Sequence, residues 1–131
     1  MVVDASVVVA ALVDDGREGR WAESILAAEA LAAPHLMPVE VASILRQAAL
    51  NGDISEDVAA LAHADLVALA VELFPYEPVA LRVWELRENL TSHDACYVAL
   101  AESLACPLAT LDRRLSRAPG SRCTFQLPPG R

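Results

Sequence analysis

The chain has no lysine; all ten of its positive residues are arginine. It has only five glycines, and none of them forms a Gly-rich phosphate loop, so nucleotide-binding folds built on such loops are disfavoured. The three cysteines, Cys96, Cys106 and Cys123, are scattered, and no Cys-x-x-Cys pair occurs. Zinc binding and a disulfide framework are therefore not expected, and a reducing cytoplasmic setting fits best. No apolar run is long and uncharged enough to span a bilayer, so no membrane partner is expected. The N-terminus opens directly on strand-forming residues without a basic leader, so no secretory signal is expected.

What is present is apolar and acidic. A length of 131 residues predicts one domain, and 55% hydrophobic content supplies its core. The net charge of −8 argues against a nucleic-acid partner, which usually leaves a basic footprint. Its distribution qualifies that argument. Five arginines (Arg113, Arg114, Arg117, Arg122 and Arg131) follow Asp112, and no acid does. GC-rich coding accounts for arginine in place of lysine, but not for this clustering.

The plan of the chain is set at its start. Val2 and Val3 read as a short buried strand, the apolar run after Ser6 reads as a helix, and Asp4 sits at the junction. In α/β proteins this place, outside a strand's carboxyl end and beside a helix N-terminus, is where ligands bind. Asp4 or Ser6 could equally serve as a helix cap. Asp14-Asp15-Gly16 ends the first helix. A second helix starts at Arg17, with Trp21, Ile25, Ala28 and Ala32 at helical spacing, and Leu31–Pro34 is a second strand candidate. Pro38 opens a third helix with Met37, Val41, Ile44, Leu45 and Ala48 on one face and Asn51-Gly52 at its end. Glu40 lies in its first turn, where an acid answers the helix dipole or serves a site. Ser55 caps a fourth helix whose expected buried side is Val58, Leu61, Ala62 and Leu69, with His63 on the surface. Glu72–Pro75 is a strand at an edge or end. From Pro78 another helix carries Val79, Val83, Leu86 and Leu90 in one stripe; Trp84 lies off it, against a partner or under a loop.

Thr91 followed by Asp94 resembles a capping box, ahead of a helix that is apolar nearly all round and therefore buried. Residues 107–111 read as a buried strand, Asp112 follows at once, and a short helix begins at Arg113. Residues 123–127 alternate like a last strand. The order β-α-α-β-α-α-β-α-α-β-α-β implies an α/β fold with a mainly parallel sheet of short strands and helices on its faces. Strand ends then share one edge, where Asp4, Glu40, Asp94 and Asp112 can gather. Such carboxylates repel one another unless a cation lies among them. Oxygen-only ligands suit Mg²⁺ or Mn²⁺ rather than zinc.

Four segments carry a family resemblance: Val2-Val3-Asp4-Ala5-Ser6, Pro38-Val39-Glu40-Val41-Ala42, His93-Asp94-Ala95-Cys96-Tyr97 with the Val98-Ala99-Leu100-Ala101 that follows, and Ala109-Thr110-Leu111-Asp112-Arg113. In this order and spacing the chain resembles PIN-domain ribonucleases of the VapC toxin type, over essentially its whole length. The resemblance implies a three-layer α/β/α sandwich and a catalytic quartet of Asp4, Glu40, Asp94 and Asp112 around Mg²⁺, with Mn²⁺ an alternative. Asp4 and Asp94, then Asp112, would hold the metal; Glu40 would bind it or orient the attacking water. Ser6 and Thr110 match supporting polar positions. Arg113, foremost of the late arginines, would hold a substrate phosphate or pair with a neighbouring acid. The resemblance further implies an RNA substrate, a cognate antitoxin whose basic C-terminal segment covers the acidic edge, and a homodimer. Apolar helix surface around Trp21 and the Glu40 helix would serve as a docking region.

Two other acid-rich sites are disfavoured. Response-regulator receivers use a lysine, and haloacid-dehalogenase-type phosphatases want Asp-x-Asp and a lysine, where this chain has Ser6 and no lysine. The competing function is a PIN-like interaction module without activity, from which metal-dependent RNA cleavage would distinguish an enzyme.

Overall fold

The structure, a computed structural model, describes residues 1–28 and 30–130, with the side chain of Ala28 left aside. The expected place of Ala28 in a buried stripe, and that of Arg131 among the late arginines, lie outside the described residues. Five strands form one sheet: β1 (Val2–Val3), β2 (Leu31–Pro34), β3 (Val71–Phe74), β4 (Leu108–Ala109) and β5 (Phe125–Gln126). Their order is β3-β2-β1-β4-β5, and every pairing is parallel. The strands before and after β1 in this order are reached in opposite directions. Right-handed crossovers therefore put the helices of the two halves on opposite faces of the sheet, giving three layers. The crossovers from β1 to β3 contain α1 (Ala5–Val13), α2 (Arg17–Ala28), α3 (Met37–Leu50) and α4 (Glu56–Ala68). Those from β3 to β5 contain a 3₁₀ turn (Glu77–Val79), α5 (Ala80–Glu85), α6 (Ser92–Leu104) and α7 (Arg113–Arg117).

The central strands are wholly apolar because both faces are covered. Val2, Val3, Leu108 and Ala109 are inaccessible to solvent. Above them α6 is buried from Ala95 to Ala101 without a break, as a helix apolar all round requires. On the other face α1 packs against α2, α3 and α4. Gly19 permits the close crossing of α2 over the end of α1: a Cβ there would stand 1.8 Å from the Asp14 carbonyl oxygen. Gly52, at φ 79°, follows α3 in the left-handed region that glycine adopts freely.

Ser55 caps α4 by accepting from the Val58 N–H at 3.1 Å, as its sequence implies. The buried side of α4 differs from expectation. Ala62 and Leu66 are buried, whereas Val58 and Leu61 are exposed, as is Ile44 on α3. Ala32 belongs to β2 rather than to the second helix. The segment after Pro78 is a 3₁₀ turn leading into a short helix, yet its stripe of Val79, Val83, Leu86 and Leu90 is buried as predicted. Trp84 is 64% exposed, with the Arg87 guanidinium stacked 4.7 Å from its ring centre.

One polar clamp ties the second half together. Arg82 donates to both oxygens of Glu102, at 2.7 and 3.2 Å, and to the Gly120 carbonyl at 2.7 Å. Glu102 also accepts from the Arg122 N–H at 2.7 Å. Burial opposes ionisation of Glu102, but the bonds from Arg82 and Arg122 prevail and hold its carboxyl below the ordinary value. A lowered value means that this group's stabilisation is fully present above the ordinary 4.5 and is lost as pH falls through the lowered value. Arg82→Ala is expected to cost about 1.5–3 kcal/mol in urea unfolding, the range for hydrogen bonds to a charged group. The difference from the parent should shrink as Glu102 is protonated.

Candidate active site

β1 ends at Val3, which pairs with Ala109 of β4, so the two chains leave the sheet side by side. The sheet order reverses between these strands, which makes the crevice outside their carboxyl ends the topological switch point. Asp4 stands there. Its N–H donates to the Ala109 carbonyl at 3.2 Å, and its carboxylate caps α1 by accepting from the Val7 N–H at 3.3 Å. Capping is therefore one of its roles. It engages only one carboxylate oxygen, Oδ1, which also accepts from the Ser6 hydroxyl, while Oδ2 accepts from the Thr110 hydroxyl. Ser6 and Thr110 in turn accept backbone N–H groups of the β4 exit, from Leu111 at 3.2 Å and Asp112 at 3.0 Å. Two hydroxyls thus lock the Asp4 carboxylate and join the ends of β1 and β4.

Asp4 is only 7% exposed. Burial raises its carboxyl above the ordinary value, against the lowering effect of the bonds from Ser6, Thr110 and Val7. Among the described residues, the ion pairs join Arg82 to Glu85 and Glu102, and Arg114 to Asp112. No arginine neutralises Asp4, Glu40 or Asp94 in that set.

Glu40, in the first turn of α3, accepts a hydrogen bond from the Tyr97 hydroxyl of α6. Tyr97 is 3% exposed. Its hydroxyl is driven far up from the ordinary value by burial first, then by the bond to Glu40 and the charges of Glu40 and Asp4. The phenol therefore stays protonated and donates to Glu40. Sequence reasoning assigned Tyr97 no role. Its partner is 57 residues away, and no local pattern reports such a contact.

Asp94 lies in the first turn of α6, three residues before Tyr97 and so on the same helix face. Thr91 caps this helix by accepting from the Asp94 N–H at 3.2 Å. The reciprocal bond of a capping box, from the Thr91 N–H to the Asp94 carboxylate, is not found among the described residues. The carboxylate is thus free of capping duty. Asp112 caps α7, with Oδ1 accepting from the N–H groups of Arg114 and Leu115 at 2.9 and 3.2 Å. It also lies 3.8 Å from the exposed Arg114 guanidinium. Arg113 pairs with no acid among the described residues; it donates to the Pro128 carbonyl at 2.9 Å.

Among the described residues, no three His, Cys, Asp or Glu side chains stand together as a ready-made metal cage. The structure links Asp4 to the backbone of Asp112 through Thr110, bonds Glu40 to Tyr97, and sets Asp94 one turn from Tyr97. This donor set fits Mg²⁺ chemically. All donors are oxygens, the buried one has no ion-pair partner among the described residues, and Mg²⁺ is usually held by one or two carboxylates while keeping several waters.

The PIN domain family profile matches residues 1–121. A VapC ribonuclease of Mycobacterium bovis is 41% identical over 129 residues, covering 98% of each chain. Ribonuclease VapC1 of Mycobacterium tuberculosis is 42% identical over 127 residues, covering 96% of each. The crystal structure of VapBC2 from Rickettsia felis bound to a DNA fragment from its promoter superposes with a TM-score of 0.68 at 12% identity, covering 96% of each chain. The chain belongs to the PIN-domain family, in its VapC ribonuclease branch.

Proposed function

We propose that this protein is a Mg²⁺-dependent endoribonuclease that acts as the toxin of a toxin–antitoxin pair. The observation that carries the reading is the Asp4 carboxylate, buried at the switch point, locked by Ser6 and Thr110, and paired with no arginine among the described residues. Asp4 and Asp94 would hold the metal, with Asp112 next. When bound, the metal would polarise a phosphoryl oxygen and lower the pKa of a bound water. Ser6 and Thr110 keep Asp4 in one rotamer. The Tyr97 hydroxyl fixes Glu40, which is then placed to orient the attacking water or to join the ligand set. Exposed single-stranded or looped RNA suits a site that must reach a backbone phosphate.

The partner is an antitoxin, in line with the VapC names of the relatives and the VapBC2 pair in the Rickettsia felis structure. Exposed Val39 on α3, Val67 on α4 and Leu73 on β3 offer it apolar surface. A homodimer is the assembly carried over from the family. No helix is long and apolar enough to cross a membrane among the described residues, and a cytoplasmic site of action follows from the proposed RNA substrate.

The test is cleavage of total cellular RNA with mapped ends. Activity should require Mg²⁺ or Mn²⁺ and stop with EDTA. If no RNA is cut and neither ion raises the melting temperature, the inactive interaction module becomes the better reading.

A further inference from the structure

A cavity of about 530 Å³ lies between the start of α2, the start of α7 and the segment after β5. Its walls are Arg17, Glu18, Arg20, Trp21, Arg113 and the residues from Pro128 to Gly130. In a chain of net charge −8, three arginines in one pocket form a local concentration of positive charge. None of the three is ion-paired among the described residues. Arg20 and Arg113 each bond a backbone carbonyl, of Asp15 and Pro128 respectively, which positions the guanidinium without neutralising it. Trp21 is only partly buried against the core and lines the cavity.

The pocket also borders the acidic edge. Arg113 directly follows Asp112, and residues from Pro128 onward follow the carboxyl end of β5, which lies on the same side of the parallel sheet as that of β1. Guanidinium groups around a cavity-lining indole match a phosphate with a base stacked beside it. An acidic peptide would use the arginines and leave the indole without a partner.

We infer that this pocket is the binding subsite for the stretch of single-stranded RNA next to the scissile phosphate, with Arg17, Arg20 and Arg113 on phosphates and Trp21 under a base. The assignment rests on the ribonuclease reading for the identity of the ligand. It explains how a strongly acidic protein can hold RNA: the basic contacts are gathered in one place beside the carboxylates. Glu18, at the same wall, opposes binding and tunes it.

The experiment uses the full chain in EDTA, where the proposed chemistry is off, with a short mixed-sequence single-stranded RNA as the probe. Trp21 and Trp84 are the only tryptophans. RNA should quench the fluorescence of a Trp84→Phe variant and leave that of a Trp21→Phe variant unchanged. Trp21→Ala should weaken binding on the order of tenfold, as loss of one stacked base does. The double variant Arg17→Ala/Arg20→Ala should lower the slope of log affinity against log salt by about 1.4, about 0.7 for each phosphate contact on a single strand. Glu18→Gln should tighten binding. All variants are first matched to the parent by melting temperature, and a Trp21→Leu variant, which keeps apolar bulk but cannot stack on a base, covers the case in which Trp21→Ala does not fold. Unchanged RNA affinity in the double-arginine and tryptophan variants would overturn the assignment, and so would equal quenching of Trp21 by poly-L-glutamate. Cleavage by the parent with Mg²⁺ is scored separately. RNA that is cut but not bound through Trp21 sinks the subsite alone, whereas RNA that is bound there and never cut sinks the ribonuclease reading alone.

Discussion

Asp4→Asn is expected to lower RNA cleavage by about 10²–10³-fold or more, the scale associated with removing one preorganised electrostatic contact from a site. The substitution keeps the shape of the side chain and an acceptor for the Val7 N–H and Ser6 hydroxyl, so the loss would report charge rather than collapse of the β1–α1 junction. A second effect should accompany it. Burial raises the Asp4 carboxyl above its ordinary 3.8. The stabilisation from such a group is fully present below the ordinary value and is lost as pH rises through the raised one. In EDTA, then, the melting temperature of Asp4→Asn relative to the parent should climb as pH rises from near 4 toward neutrality. The Thr110 hydroxyl must reorient around the amide, which adds an offset but no slope. Mg²⁺ should shrink the difference by stabilising the parent alone. Melting curves across pH, with and without Mg²⁺, read both effects. A flat difference, or a variant that still cuts RNA at the parent rate, would contradict the role given to Asp4.

At Asp112, structural and chemical roles are expected to separate between two substitutions. Asp112→Asn retains the cap on α7, because asparagine caps as well as aspartate. It should reduce cleavage by about 10²-fold through loss of charge and leave stability nearly unchanged. Asp112→Ala removes the acceptor for the N–H groups of Arg114 and Leu115 as well. It should cost a further 1 kcal/mol or so, visible as a drop of roughly 3–4 °C in melting temperature. If Asp112→Asn cuts RNA at the parent rate, Asp112 is a cap and nothing more. Paired measurements of kcat/KM and melting temperature on the two variants decide this.

The sequence shows much of this arrangement where the signal is local. A strand followed by an acid and then a helix is visible at Asp4 and again at Asp112. The caps at Ser55 and Thr91 are read from their own neighbours. Alternation of strands and helices implies a parallel sheet, and hence one edge for the strand ends. Other features escape because they depend on contacts far along the chain. The buried side of α4 is misread because leucine, valine and alanine surround that helix, and only tertiary contact selects Ala62 and Leu66 over Val58 and Leu61. The strands at residues 108–109 and 125–126 are shorter than the 107–111 and 123–127 segments read from the sequence, because apolar or alternating character marks burial and does not set how many residues pair in the ladder. The bond from Tyr97 to Glu40, the Arg82 clamp and the arginine-lined cavity join residues with no sequence relation. The structure joins the backbone of Asp112 to Asp4 through Thr110 and bonds Glu40 to Tyr97, three residues from Asp94; how closely the four carboxylates approach depends on rotamers that no pattern encodes.

The central claim is that these carboxylates, assembled by the sheet, trap a divalent ion. Its most direct test is the position of Mn²⁺ in crystals of the parent protein, located by anomalous scattering. The account predicts a peak about 2.1 Å from an oxygen of Asp4 or Asp94, with Asp112 and Glu40 facing the same ion directly or through water. An ion bound elsewhere, or none bound while RNA is still cut in EDTA, would contradict it.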